Sequence, residues 1–467
     1  MTRTHRSTLL LLLLCSGLIS LEPAYAKHTA GTETLANALP HDPTQSYRLR
    51  STAAEPKHRG VRETVLTIDH AEPRSTSNSE AAVSTVVSDN DQTISHMHAG
   101  SESKESDSAI LVEAGYTFDV WTMAAGGVAD GSRYLDNFDL VAEADLGRLI
   151  GWEGATMQVY GLYNNGKSFN DLAGDAQITS NIETGVKALR LYEMWINQEL
   201  GDTASLKVGL YDLNSEFDVL ESSGLFVGSA HGIGTDIAQS GEAGPSIFPT
   251  TSLAARIEVE PANNLKIRAA ILDGVPGNPD RPKRTAINLG NGDGALLIAE
   301  AEASIESAKI LFGHWRYTSD FETWSGDIRD GNDGWYVRGE ARLLSEREDG
   351  AQGLDGFARY GIAEGRFNPF DTFLSGGLTY TGLFPNHDDD QIGVAIATAF
   401  TSKQFRQFGP SLKHETALEL TYRKKVNDWL TVQPGLHYVM NPSATPGTPD
   451  AVALMLRMEV SFGELFR

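Results

Sequence analysis

Apolar and polar residues alternate along most of this chain from about Ile110 onward. In "DAVALMLRMEVSF", Val452, Leu454, Leu456, Met458, Val460 and Phe462 are apolar at every second position, and Ala453, Met455, Arg457, Glu459 and Ser461 sit between them. A period of two predicts a strand with one apolar face. The pattern recurs in "ATMQVYGLY" (155–163), "SLKVGLY" (205–211), "WYVRGEARL" (335–343), "ALELTYRK" (417–424) and "LTVQPGLHYVM" (430–440). "LAARIEVE" and "LKIRAAIL" form a further pair, joined by the short turn "PANN". Gly, Asn, Asp and Pro clusters separate these runs, and segments of helical period are scarce, so the chain reads as all-β with many strands.

Alternation alone leaves two architectures. A soluble sandwich turns its apolar face inward. An outer-membrane barrel turns it to lipid and lines a lumen with the polar face. Three features favour the barrel. "EPANN" is tight, whereas "DGVPGNPDRPKRTAINLGNGDG" and "TGLFPNHDDDQ" are long and polar, as expected of short turns at one end and long loops at the other. Aromatic residues gather near strand ends, at Tyr160/Tyr163, Trp315/Tyr317, Trp335/Tyr336 and Trp429, which suits interfacial girdles. A β protein of 467 residues with a single cysteine, Cys15, has no disulfide framework, which fits an envelope resident.

The N-terminal residues set the compartment. "MTRTHR" is a basic start, Leu9–Leu21 an apolar core, and Ala24-Tyr25-Ala26 a small-x-small cleavage site, which together predict a signal peptide removed before Lys27. Leu14 precedes Cys15 where a lipoprotein has a small residue, so lipidation is not expected. Residues 27–108 are rich in Ser, Thr, Glu and Asp and poor in aromatics, and are expected to be disordered. The barrel is expected over residues 109–467. The formal net charge of −24 makes nucleic acid a poor partner, and none is expected.

No enzyme constellation emerges. Asp136/Asp139 and Glu143/Asp145 read as solvated or rim charges, and Asp388-Asp389-Asp390 lacks the spacing of a calcium loop. His96-Met97-His98 could attract a soft metal but stands as an isolated triplet in a polar tail, and His231 and His314 lack companions at ligand or triad spacing. "GIGTDIAQSGEAGP" follows no strand–helix unit, so its Gly-x-Gly is not a dinucleotide site. No catalytic residue, metal site or cofactor is expected.

The segments "FDLVAEADLGRLIGWEGATMQVYGLYNNG", "YEMWINQELGDTASLKVGLYDLNSEFD" and "GPSIFPTTSLAARIEVEP", with the closing "HETALELTYRKKVNDWLTVQPGLHYVM" to "MEVSF", resemble the OprB-type carbohydrate-selective porins over about residues 110–462. The resemblance implies a single antiparallel transmembrane barrel of about sixteen strands in the bacterial outer membrane. It implies passive diffusion of glucose-like sugars through a narrow, polar lumen. The alternatives are a general or ion-selective pore on the same barrel, or a barrel that anchors an envelope segment. The end departs from the usual terminal aromatic, since Arg467 follows Phe466 and the alternation stops at Phe462.

A sugar is rich in hydroxyls and has flat C–H faces, so charged, amide and aromatic side chains on lumen-facing positions suit it. In "YEMWINQ", Glu193, Trp195 and Asn197 are assigned to one face, and Tyr192, Met194 and Ile196 to the other. Arg256, Glu258, Arg268, Arg338, Glu340, Arg342, Arg457 and Glu459 complete the candidate lumen set. Expected partners are small sugars, outer-membrane lipid, the barrel assembly machinery and, as an option, further copies of the chain.

Overall fold

The computed structural model describes residues 108–290, 292–305, 307–346 and 352–466. The expected signal peptide and the polar segment up to Asp107 lie outside the described residues. The chain winds through β1 (Ile110–Ala125), β2 (Ser132–Asp145), β3 (Ala155–Gly166), β4 (Ala188–Glu199), β5 (Ala204–Tyr211), β6 (Ser252–Ala262), β7 (Leu265–Asp273) and β8 (Ala295–Ile305). It continues through β9 (Ala308–Glu322), β10 (Ile328–Ser345), β11 (Gly353–Ala363), β12 (Phe370–Thr381), β13 (Gln391–Thr401), β14 (His414–Asn427), β15 (Leu430–Met440) and β16 (Ala451–Phe466). Each strand pairs antiparallel with its sequence neighbours, and β16 pairs with β1, giving a closed barrel of sixteen strands. Closure gives every strand two neighbours, so the sheet has no free edge strand, which is a condition for a sheet inside a bilayer.

The terminal strand shows how pattern becomes position. Leu454, Leu456 and Phe462 are exposed on the outside, whereas Ala453, Met455, Arg457 and Glu459 are buried in the lumen. Ile257, Ile267, Phe312, Leu374, Ile396 and Leu420 continue the outer apolar belt around the wall, as lipid contact requires. Pairing with β1 runs on past Phe462 to Phe466, through register shifts near Glu113, so the strand outlasts its alternation.

The β1–β16 seam is fastened from inside. Asp119 and Arg457 face each other across it, with Nε to Oδ1 at 2.8 Å and Nη2 to Oδ2 at 3.0 Å, and Nη2 also donates to Asn181 Oδ1 (2.6 Å). Both ion-pair partners are buried. Asp119→Ala strands a buried guanidinium and is expected to cost about 3–5 kcal/mol. The measurement is the temperature at which the folded, fast-migrating band is lost in unheated gel electrophoresis. An unchanged temperature refutes the fastening role.

The two ends of the barrel differ. At the end that carries both chain termini the turns after β6 and β14 are tight, and even the connections after β2 and β12 are shorter than the long ones opposite. The longest connections, 167–187, 212–251 and 274–294, lie at the opposite end, which by the rule of short periplasmic turns is the extracellular one. One expectation is corrected here: "TGLFPNHDDDQ" joins β12 to β13 at the short-turn end. There Asp390 accepts from Tyr422 Oη (2.5 Å) and the Lys425 amide (3.2 Å) and shapes a turn.

A second correction concerns the aromatics. Tyr163, Trp335 and Trp429 lie outside or at a turn, but Tyr160, Trp315, Tyr317 and Tyr336 are buried inside the barrel. The rule of polar inside and apolar outside holds toward the periplasmic end. Toward the extracellular end the lumen contains an apolar core, in which Trp121, Leu272, Ile298 and Trp315 of the wall pack with Phe169, Phe217, Ile237 and Phe248 of two inserted connections, 167–187 and 212–251. Those connections fold into the barrel.

Candidate solute path through the barrel

The connection from Asp212 to Thr251 decides what the lumen can admit. It carries Leu213, Phe217, Leu220, Phe226, Val227, Ile233 and Phe248, all buried. Such a segment is too apolar to lie in water, and the barrel gives it a wall to pack on. That wall is stripped of side chains where the segment lies closest. A Cβ on Gly393 would sit 2.6 Å from Leu225 Cδ2, and one on Gly361 would sit 2.2 Å from Asp236 Oδ2. Ala395, Ala397 and Ala399 continue the smooth face on β13.

Wall glutamates hold the segment by its backbone. Glu193 accepts from the Asp212 amide (2.6 Å), Glu300 from the Asp218 amide (2.8 Å), and Glu340 from the Ser222 amide (2.8 Å). Glu419 accepts from the Val227 and Gly228 amides at 2.8 and 2.9 Å. Glu415 treats the other inserted connection alike, accepting from the Ala176 and Gln177 amides at 2.7 and 3.0 Å. A carboxyl oxygen matched to a buried N–H satisfies both polar groups inside the wall. Arginines take the carbonyls and carboxylates. Arg338 donates to the Asp218, His231 and Gly232 carbonyls, and Arg359 bridges Asp218 (2.9 Å) and Asp236 (2.7 Å). His231 lies 3.9 Å from Glu419, but burial, with Arg338 nearby, pushes its imidazole down to about 3, so it is neutral there.

The candidate set therefore divides. Arg338 and Arg457 have side chains only 1% and 2% exposed and are encased anchors. Glu193 is an anchor as well. Glu258, Glu340 and Arg342 keep partial access, with side-chain exposures of 18, 13 and 27%, although Glu340 also holds the Ser222 amide; Arg268 is largely buried and donates to the Glu216 carbonyl (3.1 Å). Lys266, Glu302, Lys309 and Asp355 join them at 31, 16, 25 and 21%. Arg268 binds Glu258 (2.6 Å), Glu300 (3.1 Å) and Glu302 (3.2 Å), and Arg342 binds Asp355 (2.6 Å). Glu459 pairs with Arg423 (2.9 Å). Asn197 donates to Glu199 (2.8 Å).

Around Trp195 the wall meets the inserted segment. Lys207 Nζ lies 4.1 Å above the Trp195 ring and 2.7 Å from Glu216 Oε1, and Arg256 clasps both Glu216 oxygens at 2.6 Å. The Trp195 indole donates to Glu193 (3.3 Å), which also accepts from Gln158 (2.8 Å). Tyr192 departs from the expected face. The β3–β4 register shifts between Tyr160 and Gly161, so Tyr192 and Glu193 both point inward, and the Tyr192 hydroxyl reaches Asp212. A bulge of this kind breaks the two-residue period.

Burial raises the Glu216 carboxyl, but Lys207 and Arg256 outweigh it and hold it at about 2 against an ordinary 4.5. A depressed carboxylate contributes its full stabilisation above the ordinary value and loses it as pH falls through the lowered one. Solute discrimination is expected to be constant from neutral pH down to about 4.5 and to fail as pH approaches 2. Swelling rates of loaded liposomes across that range check this, and loss of discrimination already near pH 5 contradicts it.

The inserted segment carried a sequence signal that strand periodicity did not use: about forty residues between two strands that contain repeated Phe, Leu and Ile but no alternation. Asp136 and Asp139 prove to lie on opposite faces of β2, where Asp139 accepts from Asn137 (2.7 Å) and Tyr160 (2.7 Å), and Asp136 from Tyr116 (2.6 Å).

A family model described as carbohydrate-selective porin, OprB family, matches residues 129–462. Porin B of Pseudomonas aeruginosa is 26% identical over 415 aligned positions, spanning 75% of this chain and 88% of that protein. The high-pH structure of Pseudomonas putida OprB superposes with a TM-score of 0.66 at 20% identity, covering 76% of this chain and 94% of that one. The low-pH structure of the same protein gives 0.50 at 18% identity, covering 78% and 96%. At these identities the superpositions bear on the fold alone.

Proposed function

The chain belongs to the OprB family of carbohydrate-selective porins, and from that premise we propose that it passes neutral, glucose-like monosaccharides passively across the bacterial outer membrane, through a constriction set by the 212–251 segment. The observation that carries this reading is the placement of the accessible charges. Glu258 and Glu302, gathered on the largely buried Arg268, and Arg342 with Asp355 are paired wall groups whose carboxylates, with Arg342, keep solvent access. Each pair is satisfied when the lumen holds only water and can exchange a partner for a sugar hydroxyl. A hydroxyl gives and takes hydrogen bonds, so it fits between a guanidinium and a carboxylate. An ion of either sign meets both attraction and repulsion along the same wall, which favours neutral solutes. Trp195 adds an aromatic surface partly open to the lumen.

The test is swelling of polymer-loaded proteoliposomes challenged with glucose, sucrose and an amino acid of glucose's size. Glucose is expected to enter fastest and to be slowed by a competing monosaccharide. Arg342→Ala is expected to weaken that competition while leaving a folded, open barrel, because the Arg342 side chain keeps 27% exposure against 1% for the encased Arg338. Equal rates for glucose and the amino acid would leave a general pore and remove the sugar preference.

A further inference from the structure

β5 leaves the wall early. It pairs with β4 only from Met194↔Leu210 to Glu199↔Ser205, so β4 from Ala188 to Glu193 has no strand neighbour on that side. The 274–294 connection lies against this gap. Thr285 Oγ1 donates to the Leu191 carbonyl (2.7 Å), and Arg190 donates to the Pro282 carbonyl through Nε (3.2 Å) and Nη2 (2.7 Å). The docked turn reads Arg281-Pro282-Lys283-Arg284, and its three cations are at the surface.

Two more surface cations border β3 and β4. Lys167 follows β3 and Lys187 precedes β4, and the pairing of Asn164 with Ala188 sets these strand ends side by side. Lys187 Nζ lies 5.9 Å from the Tyr163 ring, which pairs with Leu189 on the outward face. Lys187 therefore leans toward the lipid side of the rim. Among the described residues no carboxylate comes within 4.0 Å of the charged groups of Lys167, Lys187, Arg281, Lys283 or Arg284. Asp280 precedes the turn and lowers its charge by one. In a chain of net charge −24, cations gathered on one quadrant of the extracellular rim are a local reversal of sign. Beside them Leu189, Ile287 and Leu289 are exposed by 73, 58 and 69%.

We infer that this rim patch docks the phosphorylated headgroup of an outer-leaflet glycolipid. The cations meet the phosphates, and Leu189, Ile287 and Leu289 meet the acyl chains below them. Arginine binds phosphate through a planar fork and lysine as a point charge, so a mixed patch accepts phosphates in several orientations. The attraction is screened within a Debye length and weakens with salt. Lys187 and Leu189 lie on the outward face of the rim, whereas Arg190 beneath the turn points into the barrel, so entry of a soluble sugar phosphate is what separates lipid docking from solute capture.

The test uses the full barrel in phosphatidylcholine vesicles with fluorescent bisphosphorylated lipid A, or the same lipid with its phosphates removed. Wild type is expected to bind the phosphorylated form at least ~10-fold more tightly, since each basic side chain near an anionic surface adds a comparable increment. The variant K187Q/R281Q/K283Q/R284Q is expected to lose most of that preference and to keep the wild-type glucose swelling rate, which reports a folded, open barrel. If that variant fails to swell, the single substitutions K187Q and R284Q replace it, and each is expected to show a partial loss of preference. Equal binding of the two lipids by wild type, or an unchanged preference in the variants, overturns the assignment. So does slower entry of a soluble sugar phosphate into variant vesicles that bind lipid A normally, because the patch then serves solute capture.

Discussion

Excision of Asn214–Pro245 opens the barrel: conductance is expected to rise several-fold, and glucose and sucrose to enter at rates that differ only as their sizes do. The cut is geometrically permitted. The Leu213 amide already donates to the Ser246 carbonyl (2.8 Å), and Ser246 Oγ donates to the Tyr211 carbonyl and accepts from the Ser252 amide, both at 2.7 Å. A short link from Leu213 to Ser246 therefore leaves the ends of β5 and β6 where they are. What is removed is the apolar mass of Phe217, Phe226, Val227, Ile233 and Ile237, together with the carboxylates that neutralise Arg338 and Arg359. Water then fills the lumen and rehydrates those guanidinium groups. A pore defined by its wall alone is governed by diameter and wall charge. Single-channel recording in planar bilayers gives the conductance, and liposome swelling gives the selectivity. Unchanged conductance after excision would place the constriction elsewhere.

Asp218→Ala is expected to be the most damaging single substitution in the inserted segment, at about 3–5 kcal/mol, because it leaves buried guanidinium charge without its carboxylate. Asp218 is fully buried. Its carboxylate receives Arg359 Nε at 2.9 Å on both oxygens and Arg338 Nη1 at 3.4 Å, and its amide donates to Glu300. Its backbone is also left-handed, at φ +60°, a region that Asp and Asn tolerate better than Ala. Asp218→Asn keeps the shape and the backbone preference and loses only the charge, so its cost is expected to be smaller. The readouts are the denaturation temperature of the folded band and the noise of the open channel, which rises when the segment detaches. Identical values for Ala and Asn would show that the ion cluster does not hold the segment.

These two predictions concern residues that strand periodicity did not reach. Arg338, Glu340, Arg457 and Glu459 were legible as inward because the stretches that hold them, Asn332–Arg342 of β10 and Val452–Ser461 of β16, alternate without a break. Tyr192 was misassigned because a bulge at Tyr160/Gly161 shifts the period by one residue, and alternation carries no mark of a bulge. The roles of the inward charges were not legible either. Arg338 and Arg457 look alike in sequence to Arg342, yet the first two are encased and the last accessible. The difference is set by segments distant in sequence, Asp218–Gly232 for Arg338 and Asp119 with Asn181 for Arg457.

The sequence by itself determined the all-β class, the alternating strands it named, the outward apolar belt and the resemblance to the family. Each strand assignment follows from a short-range rule, because a residue's face depends only on its parity along the strand and the bilayer rewards one face everywhere. Tertiary structure alone decided that two long connections enter the barrel, that the lumen holds an apolar core toward its extracellular end, and which charged wall residues still face water. Those outcomes depend on where a loop finds apolar surface and charged partners, and the glycines and alanines of β11–β13 that make room for it lie far away in the chain.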